Sequence, residues 1–236
     1  MRLLTIRPQP GADASAARAC AAGFDPLVMP LFTVCACEWE VPDGGAYDAL
    51  LLTSANAVRH GGAGLSALRA LPVHTVGERT ATAAKSAGLS IKSTGTADAQ
   101  AVLHAAAIAG DRRLLWLAGE DHRALPQSGP ITLDVRVVYA SQAIDPGKEA
   151  AAVIATADAV ALHSPRAARH FAETIDRIGV HRSSLIVAAF SPAIAEAAGS
   201  GWRAVAIAEE PNDSALLSAL DRVGKAMVNN SLPEGR

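Results

Sequence analysis

The sequence predicts an α/β protein of two similar domains, each a parallel sheet with crossover helices, and three observations carry that expectation. Short runs rich in Val, Leu and Ile alternate with Ala-rich helical segments that close in Gly, the order expected of parallel strands joined by helices. A chain of 236 residues, half of them apolar, has enough material for one large core or two small ones. One fourteen-residue stretch also occurs twice. Asp48-Ala-Leu-Leu-Leu-Thr-Ser-Ala-Asn-Ala-Val-Arg-His-Gly61 aligns without gaps to Asp158-Ala-Val-Ala-Leu-His-Ser-Pro-Arg-Ala-Ala-Arg-His-Phe171, with seven of fourteen positions identical.

The elements follow in order. Residues 3–6 read as the first strand, Asp13 as the cap of a helix running to about residue 22, and Gly23 as its left-handed C-terminal residue. Residues 27–34 read as the next strand. A strand at 49–53 precedes a helix opened by Ser54, and a strand at 73–76 precedes a helix from about Arg79 to Gly88. Further strands are expected at 114–118, 135–139, 159–163, 185–189 and 204–208, with a last helix over about 214–228 and a frayed polar tail at 229–236. In the second repeat, Ser164-Pro165 and Ser191-Pro192 place Ser at a helix cap and Pro in the first turn.

Composition narrows the function classes. The formal net charge of −2, with 19% charged residues, offers no basic excess for nucleic acid. The N-terminal apolar stretch is too short for a signal segment and no 18 apolar residues run together, so a cytoplasmic chain without a membrane partner is expected. Cys20, Cys35 and Cys37 are an odd, sparse set that suits a reducing compartment, and they read as small buried apolar side chains. Gly-x-Gly-x-x-Gly after a strand, a phosphate loop ending in Gly-Lys-Ser/Thr and Gly-x-Ser-x-Gly are all missing. The seven histidines lack a metal-ligand spacing, and no metal and no cofactor are expected.

Helix N-termini collect at the carboxyl edge of each sheet, where open α/β sheets take their ligands and where unpaired N–H groups favour anions. Two such edges facing each other would make an anion-binding cleft. Arg59, Arg79, Arg166 and Arg169 lie in or just after these turns, and Arg7 follows the first strand. The same arginines also read as ordinary solvated side chains.

The chain resembles the uroporphyrinogen-III synthases. The matching pieces are Thr5-Ile6-Arg7-Pro8, Leu52-Thr53-Ser54-Ala55-Asn56-Ala57-Val58, Val76-Gly77 with Thr80, Ala118-Gly119-Glu120 with Arg123, Val138-Tyr139, and His163-Ser164-Pro165 with Phe171; they span nearly the whole chain. The resemblance implies two flavodoxin-like domains, parallel sheets with helices on both faces, joined by a two-strand linker. The first domain would take residues 1–34 plus 144–228, the second 42–136, and the linkers 35–41 and 137–143.

It also implies the reaction. Such enzymes cyclise hydroxymethylbilane, a linear tetrapyrrole bearing acetates and propionates, to uroporphyrinogen III. Water is lost, and the last ring is inverted through a spiro intermediate. Pyrrole electrons supply the nucleophile, so the protein folds the substrate, helps the hydroxyl leave and shields the cation. Tyr139 matches the family's linker tyrosine and is the candidate to donate to the leaving oxygen, because a phenol carries its proton at neutral pH. Arg7, Ser54, Asn56, Thr80, Gly119, Arg123, Ser164, Pro165 and Ser191 match positions for the substrate, although capping explains the serines equally well. Tyr47 reads as a packing residue. Ser191-Pro192-Ala193-Ile194 stands where relatives often carry Gly-Pro-Thr-Thr, so a hydroxyl often present there is absent. A monomer is expected. The alternative is a non-catalytic two-domain small-molecule binding or sensor protein. A sugar-nucleotide transferase lacks its Gly-rich loop here.

Overall fold

The computed structural model describes residues 1–95, 98–125 and 129–230. The chain divides into two compact units, one from Met1–Thr33 together with the residues from Ala143 onward, the other Val34–Gln142. It opens with β1 (Arg2–Thr5), α1 (Gly11–Ala21) and β2 (Asp25–Val28), and β3 (Phe32–Ala36) leads into the second unit. There follow β4 (Ala49–Leu52), α2 (Ala55–His60), α3 (Gly62–Ala67), β5 (Val73–Val76), α4 (Glu78–Ser86), β6 (Ile91–Gly95), α5 (Ala99–Ile108), β7 (Arg113–Gly119) and β8 (Thr132–Ala143). Back in the first unit come α6 (Ala150–Ile154), β9 (Ala159–Leu162), α7 (Pro165–Ile178), β10 (Ile186–Ala189), α8 (Pro192–Ala198), β11 (Ala204–Ile207) and α9 (Asp213–Asn230).

The first sheet runs β11-β10-β9-β1-β2 and is parallel throughout; the second runs β3-β8-β7-β4-β5-β6, with its pairs from β8 to β6 parallel. Read along the chain, the first unit has the 2-1-3-4-5 order of flavodoxin-like sheets. Begun instead at β9, the same sheet reads 3-2-1-4-5, which is the order of the second unit from β4 onward. The two units are thus one arrangement entered by the chain at different strands, with β3 added to the second.

That permutation explains the repeat. Strands β4 and β9 each lie at the centre of a sheet and are buried at all four positions, as a strand covered on both faces must be. The repeat begins with an acid because each central strand is tied to its neighbour there. Asp48 Oδ2 accepts from the backbone N–H groups of Arg112 and Arg113 at the start of β7, and Asp158 Oδ2 accepts from Arg2 N–H at the start of β1. Cores form on both faces of each sheet, with Leu4, Val160, Val187 and Phe171 in the first unit and Leu50, Leu52, Leu115 and Leu117 in the second.

Several expectations need correction. The expected strand 27–34 is two strands in different sheets, because Pro30 between them has no N–H for a continuous ladder; Met29 and Leu31 instead donate to Thr5 O and Ile6 O. Asp13 lies inside the first turn of α1, which starts at Gly11, and does not cap it. Strand β8 starts at Thr132 rather than 135, since it follows β7 over its whole length, and it runs unbroken through the expected linker strand to Ala143. The chain crosses between the units along β3 and β8, where two linker strands were expected, and Cys37 N–H donates to Val138 O. Helix α9 reaches Asn230, so 229–230 are helical, while the tail expected from 231 to 236 lies outside the described residues. Cys20 is exposed and Cys35 and Cys37 are half-buried, all three free, rather than enclosed core residues.

Strand β6 and helix α5 are missing from the expected elements. The strand's Ile-Lys-Ser-Thr-Gly run is nearly all polar, and its place depends on a side-chain cluster. The pairing shifts between Val73 and His74, so that His74 faces Ser93 and Lys92 is the extra residue of a bulge. Ser93 therefore meets His74 while Lys92 meets Asp111, and His74 joins the two. His74, fully buried, contacts Ser93 Oγ at 2.6 Å through Nδ1 and Asp111 Oδ2 at 2.7 Å through Nε2, and Lys92 Nζ donates to both Asp111 oxygens at 2.7 and 2.9 Å. This cluster lies toward the amino edge of the sheet and pins the edge strand. Replacing Asp111→Ala strands a lysine and a histidine and is expected to cost about 3 kcal/mol. Ser93→Ala removes one side-chain hydrogen bond and should cost only about 1 kcal/mol. Urea unfolding of both variants reads the difference, and equal losses would refute the pinning role assigned to Asp111.

Candidate active site

In a parallel sheet every strand ends at the same edge, so residues just past the strands gather there whatever their sequence separation. In the first unit these are Arg7 after β1, His163 and Ser164 after β9, Ser191 after β10 and Asp213 after β11. In the second they are Ser54 after β4, Gly77 after β5, Gly119 at the end of β7, and Tyr139 opposite Gly119 on β8. The strand order reverses beside β1 and β9 in one sheet and beside β7 and β4 in the other, which are the positions where such sheets bind ligands.

Among the expected site residues the structure joins Tyr139 to Gly119 most closely. The pairing of β7 with β8 slips between Ala118 and Gly119, which brings Gly119 opposite Tyr139. A β-carbon at Gly119 would lie 2.5 Å from Tyr139 Cζ and 2.8 Å from its Oη, so the ring rests on a backbone that only glycine leaves bare. The Tyr139 ring is half-buried, and the His60 ring stands 6.3 Å away. Among the described residues no hydrogen bond occupies the Tyr139 hydroxyl. Burial, and secondarily the neighbouring Arg59, push the His60 pKa below the usual value and favour the neutral ring.

The serines divide. Ser54 accepts from Asn56 N–H at the start of α2 and Ser164 from Ala167 N–H at the start of α7, with Pro165 at the first helical position. Ser191 holds the cap position of α8 but bonds no helix N–H, so its hydroxyl is not spent on capping. Asn56 Oδ1 accepts from Arg59. Thr80, in the first turn of α4, is 4% exposed. Arg123 is exposed in the loop after β7, and Arg59, Arg79, Arg166 and Arg169 are also exposed, Arg166 lying over the Phe32 ring at 5.4 Å. Tyr47 is buried as expected but donates its hydroxyl to Asp134, and burial foremost raises its pKa. Arg7, Ser164, Pro165 and Ser191 belong to the first unit, and the other expected residues to the second.

Sequence reasoning missed the best-ordered polar group of the first unit. Asp213, in the first turn of α9, accepts from Ser15 Oγ at 3.0 Å, from Arg18 Nε at 2.7 Å and also from Arg18 Nη2, and from His163 Nε2 at 3.1 Å. Arg7 Nη1 donates to Ser15 Oγ at 3.2 Å and stands 4.0 Å from Asp213 Oδ1. Arg7 fits because Gly11 has no side chain; a β-carbon there would lie 2.7 Å from Arg7 Nε. The side chains of His163 and Asp213 are each 10% exposed. The hydrogen bond from His163 foremost, joined by Arg18 and Ser15 against the opposing effect of burial, holds the Asp213 carboxyl far below the usual range. With Nε2–H given to an ionised carboxylate, His163 Nδ1 is an acceptor, and among the described residues neither it nor the buried Thr5 Oγ1 has a hydrogen-bond partner. Both line a cavity with about 10 Å³ of free room beside Asp213. The only signals for this group were the position of His163 at a strand end and a lone acid opening the last helix.

Among the described residues no group of His, Cys, Asp or Glu could hold a metal ion, and no helix is long and apolar enough to cross a membrane. A family model for uroporphyrinogen-III synthase HemD matches residues 13–218. No curated protein sequence matches the chain. Among solved structures, uroporphyrinogen-III synthetase from Helicobacter pylori is similar with a TM-score of 0.61 at 14% identity, over 94% of this chain and 100% of that one. Uroporphyrinogen III synthase from Thermus thermophilus is similar with a TM-score of 0.42 at 19% identity, over 97% and 99% of the two chains. The Helicobacter structure agrees with the α/β fold described above.

Burial, foremost, and the nearby Arg7 and Arg18 keep folded His163 neutral against the pull of Asp213, whereas the unfolded chain protonates near the ordinary 6.5. The unfolded state therefore binds the extra proton, so stability held above pH 6.5 is lost as the pH falls below it. The thermal midpoint should drop between that pH and about 5, and His163→Gln should flatten the drop. A variant with the wild-type slope would show that His163 titrates alike in both states.

Proposed function

Because the chain belongs to the uroporphyrinogen-III synthase family, whose reaction is the cyclisation of hydroxymethylbilane to uroporphyrinogen III with loss of water and inversion of ring D, we propose that Tyr139 assists departure of the hydroxyl. The observation that carries this role is the seat of Tyr139 on Gly119. The ring is fixed by β8 and by the bare backbone beneath it, while its hydroxyl remains uncommitted among the described residues. A donor held in place without a competing acceptor loses little on meeting a leaving oxygen. The phenol proton passes toward that oxygen as the carbon–oxygen bond breaks. Ring electrons then form the new carbon–carbon bonds, so no nucleophilic side chain is needed.

Ser54, Asn56, Gly119 and Arg123 in the second unit, and Arg7, Ser164, Pro165 and Ser191 in the first, are proposed to receive the acetates and propionates through hydroxyls, first-turn N–H groups and guanidiniums. Thr80 would do so only after local opening of α4, since it is enclosed at rest. The protein is proposed to work as a monomer in the cytoplasm without a cofactor, which free cysteines and the self-sufficient chemistry of the pyrroles support. A non-catalytic binding protein would have no use for an uncommitted phenol at this edge.

The test is a coupled assay in which a deaminase generates hydroxymethylbilane and the oxidised porphyrins are separated by isomer. Protein should divert the product from type I, which forms spontaneously, to type III. Tyr139→Phe is expected to lower kcat by about tenfold to a hundredfold with product binding little changed; wild-type turnover would remove the acid role. Gly119→Ala pushes on the same ring and should lower kcat comparably, yet add little when combined with Tyr139→Phe, since both act through one hydroxyl. Additive losses in the double variant would separate the two residues.

A further inference from the structure

The turn that follows β7 carries a histidine that no motif of the sequence singles out. His122 folds back onto the residue that seats Tyr139. Its backbone N–H donates to Gly119 O at 3.1 Å, and its Nδ1 meets the same oxygen at 2.8 Å. The ring stands edge-on to Trp116, with centroids 5.0 Å apart and planes at 79°. Trp116 is itself buried and tied through Nε1 to Thr53 Oγ1 at 3.2 Å. Two hydrogen bonds and a ring contact thus hold the imidazole in one orientation.

That orientation fixes the tautomer. A carbonyl oxygen can only accept, so Nδ1 carries the hydrogen, and Nε2 of the uncharged ring keeps its lone pair. His122 is exposed, and its Nε2 has no partner among the described residues. At the same edge Arg123, the Tyr139 hydroxyl and the N–H groups that open α2 offer hydrogens rather than lone pairs. Glu120 and Asp121 beside it also accept, yet each brings a negative charge against a substrate bearing acetates and propionates. The imidazole accepts without that charge. The donors of hydroxymethylbilane are its pyrrole N–H groups and its hydroxyl, and the hydroxyl is the group that leaves.

We infer that His122 Nε2 accepts the N–H of the pyrrole that carries the hydroxymethyl group, and so serves with Tyr139 as the base of the dehydration. The role rests on the synthase reading. In the substrate that nitrogen and the departing oxygen are separated by only two carbon atoms, so an acid and a base that serve them have to be mounted side by side. Gly119 is the common mount, with Tyr139 lying where a β-carbon would stand and His122 bonded to the carbonyl oxygen. As the carbon–oxygen bond breaks, the oxygen takes the Tyr139 proton and leaves as water. The pyrrole N–H passes its proton to Nε2, so the azafulvene that forms carries no charge. When a carbon of the last ring attacks, the nitrogen recovers that proton from His122. The carbon that closes the macrocycle gives its own proton to the Tyr139 phenolate, and both side chains return to their starting forms.

The experiment measures kcat and KM for type III product in full-length His122→Asn and His122→Ala, with and without added imidazole, alongside thermal midpoints. Asparagine keeps an amide N–H where Nδ1 stood, so the turn can stay tied to Gly119 O, but it has nothing at the place of Nε2. It therefore serves as the second variant if the alanine loosens the turn. Both substitutions are expected to lower kcat by about tenfold to a hundredfold, with KM changed less. Imidazole should restore much of the lost kcat in His122→Ala, where the missing ring leaves room for it. Wild-type kcat in His122→Asn would show that the histidine only fastens the turn, and a loss in His122→Ala that imidazole leaves untouched would say the same; either overturns the base. Type I product alone from the wild-type protein would sink the synthase reading and the base together, whereas type III formed equally by wild type and His122→Asn strikes the base alone.

Discussion

Strands β4 and β9 are apolar and buried at every position, and that constraint governs both units. A strand covered on both faces can pair only with parallel neighbours whose connections run through helices, and those helices must begin where the strands end. All positively polarised helix starts and all strand-end side chains of a unit therefore fall on one edge. The other edge is left to structural duties, and its acids serve them: Asp48 and Asp158 bond the backbone at the start of a neighbouring strand, and Asp111 holds Lys92 and His74. Separation of holding and binding between the two edges is a product of strand direction.

The polar group around Asp213 shows how far burial can be tolerated at the binding edge. Its carboxylate is almost enclosed, and a lone buried anion would take up a proton to avoid the cost. Here four neighbours donate or stand close enough to stabilise the charge, so the acid stays ionised and the imidazole stays neutral. The partners come from α1 and from the turns after β1 and β9, so the group exists only in the folded unit. Its formation and the fold are one event, and its geometry is as rigid as the sheet that carries it.

Much of this was legible in the sequence where a local pattern has one structural solution. The strand at 73–76 is apolar, short and bounded, and its limits coincide with β5. The repeat, read as two related halves, corresponds to two central strands with their following helices. What was not legible depended on partners distant in the chain. The 27–34 run is apolar enough for one strand, and only Pro30 and two different sheets divide it. Strand β6 has little apolar character and is held by His74 and Asp111, so no window of its own residues could reveal it. Ser15, Arg18 and Asp213 carry no motif, since their spacing of 3 and 195 residues acquires meaning only through packing of α1 against α9. Thr80 matches a family position, yet its near-complete burial depends on packing that no local pattern shows.

The permuted relation between the units bears on why Tyr139 lies where it does. In the first unit the strand equivalent to β8 is β2, which ends at Val28 before Pro30 breaks the ladder. In the second unit β8 continues past the equivalent point to Ala143, because the chain must leave the unit along it. Tyr139 occupies that prolongation, just beyond the slip in register that sets it over Gly119. A side chain there is fixed by the strand that carries it and by the bare glycine that ends β7, against which its tip lies. Its ring also packs against the core of the second unit. The strand that carries the chain out of the second unit thus also supplies a rigid mount for a polar group at the binding edge.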